Sequence, residues 1–192
     1  MKVLITGDSF AADQQTKFPK NVGWPNMLAQ EYTVTNLAQA GCGEYKIWQQ
    51  LKSVQLNKFD HIVIAHTSPN RIYVKSHPVH AGDPLHANCD AIYSDIKEHS
   101  KTNKRLDPLV DFFENYFDED HAKDIHNLIC GDIDKLTKPF PVTHIISFDW
   151  KGLYKFDNML NFYPTFKSNR GKVNHYTDKG NIEVYNKIKK QL

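Results

Sequence analysis

The stretch KVLITGDSF, Lys2 to Phe10, decides the reading of this chain. Val3-Leu4-Ile5 is a short unbroken apolar run, the pattern of a strand covered on both faces. Gly7 ends it. A glycine directly after a buried first strand serves one of two chemistries: it seats a phosphate, or it turns the chain sharply enough to present a hydroxyl. A dinucleotide site calls for G-x-G-x-x-G, and a P-loop for Gly-Lys-Ser/Thr. Here Gly7 is followed by Asp8-Ser9-Phe10-Ala11-Ala12-Asp13, with no second glycine and no Gly-Lys pair. The phosphate cradle is excluded, and Ser9 is left as the candidate nucleophile. Taken alone, Ser9 reads first as the cap of a following helix; the rest of the chain decides between that and a nucleophile.

Working outward, strand-like and helix-like runs alternate. Trp24-Pro25 opens a helix with Pro25 at a tolerated first position. Thr33–Leu37 is β-rich. Glu44–Leu56 has helical spacing, with Ile47, Leu51 and Val54 aligned. Ile62–Ala65 is a further buried strand. The stretch between His66 and Arg105 is polar and aperiodic, and is read as a long functional loop or insertion at about residues 71–106. Asp107-Pro108 begins a helix with an aromatic stripe from Leu109 to Phe117, expected in the core or at a contact between copies of the chain. A second helix carries Ile125, Ile129, Ile133 and Leu136. Val142–Phe148 is a fourth strand, a fifth is expected near Asn161–Phe166, and Thr177 caps a last helix. This alternation predicts a single α/β domain, a parallel sheet covered on both faces in a three-layer α/β/α sandwich.

Composition narrows the function classes. The chain has 192 residues, 40% of them apolar, enough for a sizeable core. Its 24 basic and 22 acidic side chains leave a net charge of +2, so neither nucleic acid nor an anionic membrane is indicated as a partner. No apolar run approaches the roughly 18 residues of a membrane span, and a cytoplasmic location is expected. Three widely spaced cysteines, with no Cys-x-x-Cys pair, read as reduced thiols. His77, His80, His86 and Cys89 match no compact zinc template, so no metal is expected. No cofactor is required.

In a parallel sheet every strand ends on the same edge. Four segments should therefore meet there: Gly7-Asp8-Ser9, Asn36 to Gly41, His66-Thr67-Ser68-Pro69-Asn70-Arg71, and Asn174-His175-Tyr176 before the final helix. Together they supply the parts of acyl transfer. Ser9 provides a hydroxyl. His175 is an imidazole able to accept its proton, with an unperturbed pKa of about 6.5. The N–H groups of Ser9 and Gly41 and the Asn70 side-chain amide are candidate donors to an oxyanion. Arg71 is a candidate for binding an anionic substrate group, and Trp150 for walling the pocket.

The blocks GDSF (7–10), NLAQAG (36–41) and NHYTDKGN (174–181), in this order, resemble those of the GDSL or SGNH hydrolases. That resemblance implies a flavodoxin-like sandwich of about five parallel strands, Ser9 as nucleophile, Gly41 as oxyanion donor and His175 as base. It implies hydrolysis of an ester, with a small-molecule or carbohydrate O-acetyl ester as substrate. Acyl transfer at the same site and a non-catalytic binding module on the same fold are the alternatives. Two departures stand out. The family's third block, Gly-x-Asn-Asp, is replaced by HTSPNR, leaving Asn70, Ser68 or Thr67 to complete the oxyanion hole. The family's Asp three residues before the histidine is Lys172 here, so Asp149, after the fourth strand, becomes the candidate acid.

Overall fold

Alternation along β1 (Lys2–Gly7) sends Val3 and Ile5 to one face of a sheet and Leu4 to the other, all fully buried. The computed structural model describes residues 1–171 and 175–192. In it β1 lies between β2 (Thr33–Asn36) and β3 (His61–His66), and β4 (Val142–Ile146) and β5 (Met159–Asn161) follow beside β3. The order is β2-β1-β3-β4-β5, parallel throughout. This is the order of flavodoxin-like doubly wound sheets. β1 and β3 are almost wholly buried because helices cover both their faces.

One face packs against α1 (Trp24–Leu28), α6 (Tyr163–Ser168) and α7 (Asp178–Lys189). Val3, Ile5 and Val63 meet Trp24, Leu28, Phe166, Val184 and Ile188 there. The other face packs against α2 (Glu44–Lys52) and α5 (Glu119–Thr137), where Leu4, Ile62 and Ile64 meet Ile47, Leu51 and Ile133. The three-layer α/β/α architecture expected from the alternation is the observed one. The Thr177 hydroxyl accepts the Gly180 N–H at the start of α7, as expected of a cap.

Three local expectations are corrected. The fifth strand ends at Asn161, and residues 163–168 form α6, entered through Pro164 in its first turn. Segment 71–106 is not aperiodic throughout: α3 (Tyr93–Ser100) lies inside it, and an isolated antiparallel bridge joins Ile72 to Ala91. The aromatic stripe is not core. No residue of α4 (Asp107–Asn115) is buried. Leu109, Val110 and Phe113 pack on a small satellite cluster around Ala91, Ile96 and Leu106, while Phe112 and Tyr116 are exposed.

The carboxyl end of β1 is the tightest point in the sheet. Gly7 has φ +147°, and a Cβ built there would lie 2.5 Å from the Ala65 Cβ and 2.6 Å from the Ala65 carbonyl oxygen on β3. The buried Gln50 side chain on α2 accepts the Gly7 N–H at 2.8 Å, and its amide donates to the Gly7 carbonyl at 3.2 Å. A side chain at position 7 therefore forces the strands apart and strains φ as well. Gly7→Ala is expected to cost about 3 kcal/mol or more, read by chemical denaturation. Gly152→Ala, at φ +76° but in open space, should cost roughly 1 kcal/mol. Equal losses would contradict this account of the strand end.

Candidate active site

Past Gly7 the chain makes a tight turn, not a helix. The N–H groups of Ala11 and Ala12 both donate to the Asp8 carbonyl at 3.0 Å, and the next element is only a 3₁₀ turn at Gln14–Thr16. Helix capping is thus no explanation of Ser9. The turn is anchored from three sides. The Phe10 N–H donates to the Asp8 carboxylate at 3.0 Å, the Trp24 indole N–H to the Phe10 carbonyl at 2.7 Å, and the Asn36 amide to the Ala11 carbonyl at 2.8 Å. Phe10 is buried, in edge contact with Phe148, Phe166 and Tyr176.

Ser9, Phe10 and His175 stand between two neighbouring cavities, of about 510 and 310 Å³, and line both. The sheet thus brings together the hydroxyl near the front of the chain and the imidazole near its end. The His175 ring packs against the edge of Phe10, centroids 5.5 Å apart. Gly41 lines the smaller cavity with φ +75°, and a Cβ there would strike the Cys89 Cβ at 2.5 Å. Among the described residues, no group takes the N–H of Ser9 or of Gly41.

Arg71 lines the same cavity. One Nη donates to the buried Asp8 carboxylate at 3.3 Å, while Nε and the other Nη have no hydrogen-bond partner among the described residues. Asn70 is not brought to the cavity. The Arg71 N–H donates to the Pro69 carbonyl at 2.8 Å, a γ-turn that puts Asn70 at its apex in solvent. Thr67 is buried and donates its hydroxyl to Asp8 at 3.0 Å, and Ser68 lines a separate cavity against α2 and α5. Neither lines Ser9's cavity, and within this block Arg71 is the residue that does. Asp149 is exposed, and its carboxylate accepts the Lys151 N–H at 3.1 Å, a turn role that leaves it outside the site. Trp150 is also elsewhere. Its indole N–H donates to the Tyr154 carbonyl, and its ring packs on His126 and His66. Lys172 lies outside the described residues.

Beneath the site runs a buried polar network that sequence periodicity does not reveal. The Thr67 N–H donates to Glu44 at 3.1 Å, Glu44 meets His66 Nδ1 at 2.6 Å, and His66 Nε2 meets His144 Nδ1 at 2.9 Å. Burial works against the Glu44 carboxylate, yet the His66 and His126 imidazoles hold it below the usual carboxylate range. Glu44, His66 and Cys130 bring donor atoms within 4.8 Å of one another. Each is already engaged: both His66 nitrogens are hydrogen-bonded, and Cys130 Sγ lies 3.6 Å from His126 Nδ1. Burial pushes the Cys130 thiol up, so it is neutral. The cluster ties α2 and α5 to the strand ends, and its signal in the sequence is polar residues at buried helix and strand positions.

No protein-family model matches the chain, and no curated protein matches it. No helix is long and apolar enough to cross a membrane among the described residues.

Burial pushes the Asp8 carboxyl up to about 6, against the pull of Arg71 and the donors from Phe10 and Thr67. Its ordinary value is 3.8, so the fold holds this proton more tightly than the unfolded chain does. The corresponding stability is present below about pH 4 and lost as pH rises through 6, about 3 kcal/mol in all. Asn at position 8 keeps one of the two acceptor oxygens and removes the titration. Urea unfolding at pH 4 and pH 7 should therefore show the native chain losing about 2 kcal/mol relative to Asp8→Asn; parallel curves would contradict the assignment.

Proposed function

We propose that this protein is a serine ester hydrolase in which Ser9 Oγ attacks the ester carbonyl and His175 takes its proton. The single observation that carries the reading is the meeting of Ser9 and His175 on the walls of the same two cavities. The N–H groups of Ser9 and Gly41, which no group among the described residues takes, support it, since backbone donors fixed before reaction stabilise a developing oxyanion at no reorganisation cost. Arg71 adds a buried positive charge beside them. His175 then returns the proton to the leaving alcohol, and water clears the acyl-enzyme. The family resemblance favours acetyl as the acyl group, which makes aryl acetates the first substrates to assay and O-acetylated carbohydrates the next.

The expected outcome is hydrolysis of an aryl acetate by the native chain. In Ser9→Ala, kcat/KM should fall by a factor of about 10³ or more, with the circular dichroism spectrum unchanged. Equal rates in the two proteins would remove Ser9 from the chemistry.

A further inference from the structure

The insertion carries four histidines outside the proposed chemistry, and the fold gathers three of them around the Asp95 carboxylate. His80 Nε2 lies 3.2 and 3.0 Å from the two Asp95 oxygens. His99, one turn further along α3, has Nε2 3.7 Å from Asp95 Oδ1. His77 Nε2 lies 3.7 Å from Asp95 Oδ2. His86 packs beside His80, ring centroids 5.6 Å apart. One donor atom on each of His77, His80 and Asp95 falls within 4.8 Å of the others.

The geometry points to a binding site for a divalent first-row transition ion of the zinc type, centred on His80 and Asp95, with His99 beside the same carboxylate and His86 beside the His80 ring as the further ligands that side-chain rotation brings onto the ion. Bonds of about 2.0–2.1 Å in a tetrahedron place two donors about 3.3 Å apart. The His80–Asp95 and His99–Asp95 separations bracket that value. Imidazole nitrogens with one carboxylate suit zinc, cobalt or nickel and disfavour calcium and magnesium.

Proton positions sort the histidines. A ligating imidazole gives the proton on its other nitrogen to an outer acceptor. His86 meets that condition: its Nδ1 faces Asp83 Oδ1 at 3.4 Å, leaving Nε2 for the ion. Asp83 is in turn ion-paired to Lys17. His77 does not. Its Nδ1 accepts the N–H groups of Val79 and His80, both at 3.2 Å, so the proton sits on Nε2. That nitrogen is buried, has no hydrogen-bond partner among the described residues and faces Asp95, which makes His77 the outer group that holds the carboxylate in place.

The site is open to solvent, its side chains being a quarter to two-fifths exposed. His80, His86 and Asp95 also line the cavity that holds Ser9 and His175. A bound ion would clamp the loop carrying His80 and His86 to α3 and set a positive charge on the wall of that cavity. Binding does not depend on the ester chemistry.

The test is titration of the chelator-dialysed full chain with Co²⁺, followed by visible absorption and calorimetry. One equivalent should bind with the intense d–d bands of a four-coordinate ion, and Zn²⁺ should displace it. His80→Ala and His99→Ala should each lower affinity more than a hundredfold, beyond the roughly 10–100-fold range typical of outer-group losses, into which His77→Asn should fall. Cys89→Ser should bind as the native chain does. Circular dichroism establishes that each variant is folded. Absence of saturable binding to the native chain, or binding that survives loss of His80 and His99 together, overturns the site.

Discussion

The close approach of Gly7 to Ala65 is the constraint on which the rest depends. β1 and β3 can pair through the last residue of β1 only if position 7 has no side chain. The strand then ends abruptly, and Asp8 and Ser9 leave it over the edge of the sheet. Gln50 satisfies both backbone groups of Gly7 from below, so the strand end stays dry and fixed. A reactive hydroxyl needs such a rigid support, because its placement relative to a base on another segment tolerates little drift.

Around that turn the chain buries several ionisable side chains. Asp8 follows β1, Glu44 opens α2, His66 ends β3 and His144 lies within β4, all nearly excluded from water. Each has a partner, as burial requires. Asp8 takes Phe10, Thr67 and Arg71; Glu44 takes Thr67, His66 and His126. Thr67 touches both carboxylates and so couples the turn after β1 to the start of α2. Asp90 plays the same role for the insertion, accepting the N–H groups of Gly43 and Val74 and pairing with Lys46. These contacts hold Arg71 and Gly41 against the cavity that Ser9 shares.

Much of this was legible in the sequence, for physical reasons. Runs such as Val3–Ile5 and Ile62–Ala65 are apolar because they are covered twice, and their alternation with amphipathic helices led directly to the parallel sandwich. The convergence of Gly7-Asp8-Ser9, Gly41 and His175 followed from parallel topology alone. What was not legible depended on local turns and long-range contacts. Asn70 was expected in the cavity, but the γ-turn after Pro69 sends it outward and Arg71 inward. Asp149 ends a strand on the correct edge yet serves a surface turn. α3 was hidden because only Ile96 and Ser100 of its eight residues are buried, too few to show a period. His77, His80 and His99 fit no linear template because their common partner, Asp95, comes from that hidden helix.

The account stands on Ser9 and His175 acting together on one bound acyl group. The most direct test is covalent labelling with a fluorophosphonate, followed by peptide mass mapping. The account predicts a single phosphonate adduct on Ser9 whose formation slows by about two orders of magnitude or more in His175→Ala. Labelling at another residue, or an adduct on Ser9 that forms equally fast without the imidazole, would contradict it.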